Sequence, residues 1–374
     1  MKRYLWVLWL TIVLSASAWG APIIEGGDSR QPWMLSREEV RLLTAQRHPP
    51  VFPARAALIF EMDENRVLLD QNGHQPLPPA SLTKLMTALV AREHLHLKQV
   101  VTVPEEAQVG EARMGLQPGQ RVHVETLLYG LLLTSGNDAA MTLAVSAAGD
   151  EETFVRWMNE KARKLGLRHT HFVNPHGLDA VGHVSTARDL ARIAQAVLQD
   201  PVLATIVRTR EIRLDGWHLI NRNTLLKERD DVIGVKTGTT LLAGQCLIAA
   251  FRDQGHTIIT VVLGAQNRYT VTKALWRYYK EVYTWQRLDI PAGRVCEIHV
   301  GSVTRRFRPK HTLQVLLPRW QNRHIMFRWQ MNVPVRTTAG WEWPPTAGNV
   351  RFYVDGRVLQ EIPLVWDGFV SSGE

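Results

Sequence analysis

The alternation of apolar and polar positions becomes regular near residue 56. Two short apolar runs, 57–60 and 67–69, flank a polar stretch at 63–65. Runs of this length around a polar turn predict a β-hairpin. After a loop that ends in two prolines, apolar residues recur at positions three and four apart. That spacing predicts a helix from Ser81 to about Leu95.

A second group of helices and strands follows. A very apolar stretch from Glu125 is interrupted at 134–138 and then resumes at Ala139. Such a break is typical of a functional or strained site, although an ordinary helix–helix turn uses the same residue types. Further patterns predict helices at 152–165, 185–198 and 270–285, and strands at 100–103, 122–124, 232–240, 245–251 and 257–264. This order predicts an α/β (α+β) domain, with an antiparallel sheet flanked by helices.

The pattern divides the chain into an extension, a main domain and a final module. Residues 22–50 form an N-terminal extension that we expect to lie on the main domain, which covers residues 51–286. Residues 287–374 show no long helix. They carry short β-type runs separated by turns, at 295–300, 312–317, 324–329, 350–354 and 359–364. These runs predict a separate small all-β domain.

The first 18 residues are typical of a secretory signal peptide. Met1-Lys2-Arg3 gives a basic start, residues 4–14 are almost wholly apolar, and small residues follow at 15–18. The apolar run is shorter than the roughly 20 residues that a membrane span needs. We therefore expect cleavage after residue 18, 20 or 21 rather than an uncleaved anchor, and a periplasmic or exported protein.

The charge of the chain limits the kinds of partner that we expect it to bind. The formal net charge is +9, and removal of Lys2 and Arg3 leaves 42 basic against 35 acidic residues. Residues 287–374 contribute 12 Lys and Arg against 7 Asp and Glu. This excess favours anionic surfaces, but no basic run is interleaved with a nucleic-acid motif, so no nucleic acid partner is expected. The polar stretch 365–374 makes a poor amphipathic anchor, and we expect at most weak association with a membrane surface.

The chain carries no signature of a metal or cofactor. Its 14 histidines are scattered, and its two cysteines form no Cys/His cluster with metal-ligand spacing. An oxidising compartment would permit a disulfide between Cys246 and Cys296. Cys246 also lies in an apolar run, where a buried free thiol is common. Both states of the cysteines stay open, and no metal and no cofactor are predicted.

Three short motifs stand in order along the main domain. They are Ser81-Leu82-Thr83-Lys84 at a helix start, Ser135-Gly136-Asn137 in the polar break, and Lys236-Thr237-Gly238 on a strand. A serine and a lysine three positions apart lie on one helix face, which suits a nucleophile beside a base. Each motif alone is common. Together, in this order, they resemble the motif set of penicillin-binding proteins and class A β-lactamases.

The chain resembles the low-molecular-weight penicillin-binding proteins, the serine D-alanyl-D-alanine carboxypeptidases. The resemblance covers roughly residues 50–286 and includes 80–87, 136–139, 172–179 and 236–247. It implies the transpeptidase-like fold of serine β-lactamases and penicillin-binding proteins, followed by a small all-β domain. It also implies removal of the terminal D-alanine from peptidoglycan pentapeptides during cell wall biogenesis. The implied partners are peptidoglycan stem peptides, with β-lactam antibiotics as covalent inhibitors.

The resemblance also implies a role for each motif residue. Ser81 attacks the peptide carbonyl, Lys84 takes its proton, and Ser135 with Lys236 relays a proton to the leaving amine. Lys84 can act only when neutral, and burial and the charge of Lys236 would both lower its pKa. The implied oxyanion hole consists of the backbone N–H groups of Ser81 and Thr239. The implied substrate-binding residues are Asn137, Lys236, Thr237, Gly238, Thr239 and Arg268, with a solvated surface arginine as the alternative for the last.

Three other functions fit parts of this pattern. A class A β-lactamase needs a deacylating glutamate after the middle motif, and the loop at 174–179 has none. A murein DD-endopeptidase would keep all three motifs, but such enzymes commonly lack the second domain. A non-catalytic peptidoglycan-binding protein would be expected to have lost Ser81 or Lys84. Carboxypeptidase is therefore the preferred hypothesis.

Overall fold

The computed structural model describes residues 23–27, 35–290, 297–300 and 303–370. These residues fall into two compact units, one within Pro49–Tyr279 and one that combines Met1–His48 with Lys280–Glu374. The predicted signal peptide and Cys296 lie outside the described residues.

The described residues form the following elements. The α-helices are α1 Arg37–Arg47, α2 Lys84–His94, α3 Val124–Tyr129, α4 Asn137–Ala148, α5 Glu151–Lys164, α6 Ala187–Gln199, α7 Pro201–Arg208, α8 Leu225–Glu228 and α9 Arg268–Val282. The strands are β1 Ile23–Gly27, β2 Ala56–Glu61, β3 Arg66–Gln71, β4 Val100–Thr102, β5 Arg121–His123, β6 Glu211–Leu214, β7 Trp217–Ile220, β8 Val232–Thr240, β9 Gly244–Asp253, β10 His256–Ala265, β11 Tyr283–Leu288, β12 Glu297–Val300, β13 Val303–Pro309, β14 Leu313–Pro318, β15 Ile325–Asn332, β16 Val335–Thr337, β17 Gly340–Glu342, β18 Gly348–Val354 and β19 Arg357–Val370. Short 3₁₀ segments cover Ala80–Thr83, Glu105–Ala107 and Arg319–His324, and a π-helical turn covers Gly130–Thr134.

A five-stranded antiparallel sheet forms the centre of the first unit. Its strand order is β3-β2-β10-β9-β8. The continuous apolar runs of β9 and β10 are almost wholly buried, as expected for strands with both faces covered. Helix α6 packs against β10 and β2, and α2 packs against α4, α5 and α6. The predicted α/β domain with an antiparallel sheet and flanking helices is therefore confirmed.

The helix predicted from Ser81 has a different start. Residues Ala80–Thr83 form a 3₁₀ segment, and the α-helix begins at Lys84. Ala80 has a φ of 49°, in the left-handed region, which an α-helix cannot continue. In a 3₁₀ turn, side chains at positions i and i+3 are eclipsed. The tighter turn therefore places Ser81 and Lys84 one above the other.

Three further elements of the first unit differ from the sequence patterns. The predicted helix 270–285 ends at Val282, because β11 pairs with β14. The hairpin β6–β7 was not predicted, although its Asp215-Gly216 turn has positive φ at both residues, as in a type I′ turn. Helix α7, also unpredicted, meets α6 at 104°. Within the described part of the chain this bent pair alone has the length and composition of a membrane span, and no single helix does.

A six-stranded sheet dominates the second unit, in the order β1-β15-β18-β19-β13-β12. One face of this sheet packs into a core of Phe307, Phe327, Met331, Val350, Phe352, Ile362 and Leu364. Two small antiparallel pairs, β11–β14 and β16–β17, complete the described strands of this unit. The predicted β-rich C-terminal region is therefore present.

The described parts of the N-terminal extension pack within the second unit, whereas the sequence pattern assigned the extension to the main domain. Strand β1 pairs with β15, the edge that would otherwise be open, and α1 packs against β14 and the segment Arg319–His324. Trp320 Nε1 donates to Gln46 Oε1 at 2.7 Å. The extension thus belongs to the second unit. The division between the units falls after Tyr279 rather than after residue 286, since β11 pairs with β14.

Candidate active site

Ser81 lies where β8 and the loop 174–179 meet the 3₁₀ segment Ala80–Thr83. A Cβ built on Gly238 of β8 would lie 3.0 Å from Ser81 N, and one built on Gly177 would lie 2.1 Å from Ala80 O. Real Cβ atoms do not tolerate a contact as short as the second. Only glycine at these two positions lets strand and loop approach the Ser81 backbone this closely.

Lys84 is fully buried beneath Ser81. Its Nζ lies 3.0 Å from Ser81 Oγ, 2.7 Å from Asn137 Oδ1 and 2.6 Å from His176 O. The pKa of Lys84 is lowered from 10.5 to about 7, chiefly by burial and also by the positive charge of Arg222, while Asp138 opposes both. The sequence predicted the effect of burial correctly. It also named the charge of Lys236. The structure adds Arg222 as the charge that lowers the pKa of Lys84, and the repulsion between the two lysines lowers the pKa of Lys236.

The partners of Lys84 fix the direction of its lone pair. Asn137 Oδ1 and the carbonyl oxygen of His176 can only accept hydrogen bonds. A neutral amine has two N–H groups, and these two acceptors take both. The lone pair that remains faces the Ser81 hydroxyl at 3.0 Å. At pH 7 about half of the Lys84 side chains are neutral, against about one in 3,000 for a lysine of ordinary pKa.

The middle motif lies at the end of the π-helical turn. Ser135 has a φ of 66°, and its buried side chain lines the same cavity as Ser81. Asn137 was expected to bind a substrate amide, and the structure places its Oδ1 on Lys84. Its Nδ2 has no hydrogen-bond partner in the described part of the chain. Asn137 therefore orients the Lys84 amine, and its Nδ2 group stays available as a donor.

Asp138 is a residue that the sequence analysis missed. Its carboxylate accepts the backbone N–H groups of Met114, Gly115 and Leu116 at 2.9, 2.9 and 3.0 Å. These bonds fasten residues 114–116 to the start of α4, and a bond from Asn137 N to Ala112 O at 2.6 Å extends the attachment to Ala112. Because Ala112 lines the cavity, Asp138 shapes one wall of the site. No local pattern marks an aspartate as the partner of a loop more than twenty residues earlier.

Lys236 contributes a second buried amine. It is 1% exposed on β8, and its Nζ donates to Thr237 O at 3.0 Å. Burial holds the pKa of Lys236 well below its ordinary range, and the charges of Lys84, Arg222 and Arg268 act in the same direction. This side chain therefore gives up its proton more readily than an ordinary lysine.

Arg268 lies at the start of α9, beside the strand that carries the third motif. Its Nη1 donates to Gly238 O at 2.7 Å and to Cys246 O at 2.9 Å, and its Nη2 contacts Thr239 Oγ1. The structure thus brings the predicted cation to the predicted threonine rather than leaving it solvated. Cys246 itself is buried with a free thiol, and burial raises its pKa.

A cavity of about 490 Å³ joins these groups. Its lining comprises Ser81, Ala112, Ser135, Arg222, Thr237, Gly238, Thr239, Gln245, Asn267, Arg268 and Tyr269. Arg222 and Tyr269 were not predicted, and Tyr269 Oη donates to Arg222 O at 2.9 Å. Two arginines in the lining, with buried lysines behind it, make the cavity suited to an anionic group.

Comparison with known proteins gives the family. The model of the peptidase family S11, D-alanyl-D-alanine carboxypeptidase, matches residues 44–267. The chain belongs to the D-alanyl-D-alanine carboxypeptidase family. It is 32% identical to the carboxypeptidase DacC of Escherichia coli, over 87% of this chain and 86% of that one. It is 38% identical to DacD of Salmonella typhimurium, over 87% of this chain and 88% of that one.

The solved structures agree with this family. Penicillin binding protein 6B of Escherichia coli matches with a TM-score of 0.66 and 31% identity, covering 86% of this chain and 97% of that one. The predicted fold, family and enzyme class of this D-alanyl-D-alanine carboxypeptidase are therefore confirmed.

The loop after the middle motif separates this carboxypeptidase from a class A β-lactamase. The loop's acidic residue, Asp179, accepts hydrogen bonds from Thr240 Oγ1 at 2.6 Å and Leu242 N at 3.1 Å. Its carboxylate thus fastens the loop to the turn between β8 and β9. The group that this loop presents to Lys84 is the His176 carbonyl, which cannot accept a proton from water as a carboxylate does.

Proposed function

We propose that this carboxypeptidase removes the terminal D-alanine of peptidoglycan pentapeptides through an acyl-enzyme on Ser81. The observation that supports this most directly is the arrangement of Lys84. A buried amine with a pKa of about 7 has its N–H groups occupied and its lone pair on the Ser81 hydroxyl. That is the geometry of a general base poised beside a nucleophile.

In the first step, Ser81 Oγ bonds to the carbonyl carbon of the penultimate D-alanine while its proton moves to Lys84 Nζ. The carbonyl oxygen becomes an oxyanion, which the N–H groups of Ser81 and Thr239 receive. The carbon–nitrogen bond then breaks. The proton that Lys84 took passes through Ser135 and Lys236, the second buried amine of the site, to the leaving amine. Lys84 is neutral again, and free D-alanine departs.

The terminal carboxylate of the substrate would determine which way the peptide lies in the cavity. Arg268 is held at Gly238 O and at the Thr239 hydroxyl, so a cation stands at the end of the third motif. Thr237 and Thr239 line the cavity on the same side and offer hydroxyl donors. A free C-terminal carboxylate would complement this cation and these donors, which fits a peptidase that removes one terminal residue.

In the second step, water bonds to the acyl carbon while the neutral Lys84 takes its proton. The bond from the acyl carbon to Ser81 Oγ then breaks, and Lys84 returns the proton to Oγ, which restores the Ser81 hydroxyl. A β-lactam contains a strained amide, so it would acylate Ser81 in the same way. Its leaving nitrogen stays attached to the adduct, and the loop 174–179 supplies no glutamate for attack by water. We therefore expect a persistent adduct.

The adduct provides the test. The purified protein is incubated with benzylpenicillin, and its intact mass and peptide map are recorded over time. We expect one adduct per chain on the peptide that contains Ser81, and none on the Ser81→Ala variant. An adduct that forms equally on Ser81→Ala would overturn the assignment, and so would the absence of any adduct on the wild-type protein.

We further propose that the enzyme works in the periplasm after export. The basic start, the apolar run 4–14 and the small residues at 15–18 support this. Cells are fractionated at low salt, and the membranes are then washed with about 1 M salt. At this concentration the electrostatic screening length falls to about 3 Å. We expect the protein in the periplasmic fraction or the salt wash. Protein that only detergent releases would refute cleavage of the signal peptide.

A further inference from the structure

The loop after the middle motif places a histidine behind the Ser81 turn. His183 is 4% exposed, and the bridge between His171 and Val184 holds its backbone. One ring nitrogen, Nδ1, lies 3.0 Å from Val173 N. The other, Nε2, lies 2.8 Å from Thr83 Oγ1. The ring therefore connects the loop to the first motif.

The hydrogen bonds of this pair have only one consistent direction. A backbone N–H can only donate, so Nδ1 of His183 accepts from Val173 and carries no proton. Burial lowers the pKa of His183 to about 4, and the ring is neutral at neutral pH. Its proton therefore lies on Nε2 and is donated to Thr83 Oγ1. The Thr83 hydroxyl in turn donates to Ala80 O at 2.8 Å.

The last acceptor in this series of hydrogen bonds, Ala80 O, belongs to the peptide group that precedes Ser81. Ala80 C=O and Ser81 N–H are parts of one planar trans peptide, so they point in opposite directions. A hydrogen bond that fixes the carbonyl therefore also fixes the N–H. The carbonyl lies under Gly177, and the nitrogen lies under Gly238 on the β8 side of the cavity.

This peptide needs to be held. Ala80 has a φ of 49°, and a non-glycine residue in the left-handed region costs on the order of 1 kcal/mol or more. Rotation of the peptide between Ala80 and Ser81 changes ψ of Ala80 and φ of Ser81 and leaves the positive φ of Ala80 in place, but it would turn the Ser81 N–H away from the cavity. The bond from Thr83 opposes that rotation, and His183 holds the Thr83 hydroxyl in the required direction.

We propose that His183 and Thr83 are positioning residues that aim the Ser81 N–H at the oxyanion of the acylation step. The inference rests on the proposed role of Ser81 as nucleophile. An oxyanion exists in the transition state and not in the initial complex. Loss of the hydrogen bonds that run from His183 through Thr83 to Ala80 O should therefore slow acylation and leave the affinity of the initial complex unchanged.

The test measures acylation by a chromogenic penicillin in rapid-mixing experiments, which separate the acylation rate constant from the dissociation constant of the initial complex. Thr83→Val keeps the shape of the side chain and removes the hydroxyl. We expect its acylation rate constant to fall about 10- to 100-fold, less than or similar to the loss of a whole oxyanion donor. Thr83→Ser restores the hydroxyl and should stay within about threefold of wild type.

A second variant tests the histidine. His183→Phe keeps a ring of similar size and removes both hydrogen bonds, and we expect a fall of about tenfold in the same rate constant. Because both residues act through one path, the double variant Thr83→Val/His183→Phe should be no slower than Thr83→Val by more than about twofold. Thermal unfolding of every variant shows whether the fold is intact.

Each outcome decides the inference. Unchanged acylation in Thr83→Val would overturn it, and so would a weaker initial complex with an unchanged rate constant. Equal losses in Thr83→Ser and Thr83→Val would also overturn it, since the hydroxyl would then not matter. If wild-type protein forms no adduct at all, the proposed function fails and this inference fails with it. If the wild-type protein forms the adduct and the variants acylate at the wild-type rate, only the positioning role of His183 and Thr83 is refuted.

Discussion

The charge of Arg222 adds to burial in lowering the pKa of Lys84, the proposed base. Acylation needs the neutral amine, so its rate should rise about tenfold per pH unit below pH 7 and level off above it. Arg222 disfavours the protonated amine, so Arg222→Gln should raise the pKa of Lys84. The midpoint of the profile then moves to higher pH.

The size of this effect follows from the exposure of Arg222. Arg222 is exposed and lines the cavity, and solvent screening reduces the interaction of an exposed charge. A pKa increase of about 0.5 to 1 is therefore expected. At pH 6 this lowers acylation about three- to tenfold, whereas at pH 9 the rates of variant and wild type should agree within about twofold.

The assay is the acylation rate constant with a chromogenic penicillin between pH 5.5 and 9. Arg163→Gln on α5 is the matched control, because it removes an exposed positive charge that does not act on the pKa of Lys84. Its profile should coincide with that of the wild type. A midpoint for Arg222→Gln that is unchanged, or that moves to lower pH, would refute the electrostatic account of the base.

Three further predictions follow from the same geometry. Arg268→Gln should lower kcat/KM about 10- to 100-fold for a peptide with a free C-terminal carboxylate; an equal loss with the C-terminal amide of that peptide would contradict carboxylate binding. Gly238→Val should abolish penicillin labelling of folded protein, because its Cβ would lie only 3.0 Å from Ser81 N and 3.1 Å from Ala80 Cβ. Labelling at the wild-type level would show that β8 can move away from Ser81. His176 and His183 have pKa values of about 3 and 4 in the fold against 6.5 when unfolded. Between those values the unfolded chain binds more protons, so stability is lost as pH falls below 6.5, by at most about 2.7 kcal/mol per pH unit for two groups. Denaturant titrations at pH 6.5 and 4.5 that agree within error would contradict this.

The sequence could predict the parts of the site that depend on local spacing. Ser81 and Lys84 are three positions apart, so any helical turn brings them together. Strands β9 and β10 read as strands because their apolar runs are continuous and end in turn residues. The polar break at 134–138 marked Ser135, although not the π-helical turn that presents it.

The remaining groups depend on contacts that have no local signal. His183 meets Thr83 across one hundred residues, and Arg222 reaches the cavity from a polar loop. The pairing of β1 with β15 likewise joins segments about three hundred residues apart. Tertiary packing decides such contacts, and a polar residue in a loop looks the same in the sequence whether it is buried in a site or solvated.

The most direct test of the central claim is the release of D-alanine from a synthetic peptidoglycan pentapeptide, followed by mass spectrometry. Wild-type protein should convert the peptide to a product that lacks one alanine. Ser81→Ala should lose at least about three powers of ten in rate, and Ser146→Ala, on α4, should match the wild type. Release of D-alanine by Ser81→Ala at the wild-type rate would contradict the acyl-enzyme on Ser81, and an unconverted peptide with wild-type protein would contradict carboxypeptidase activity itself.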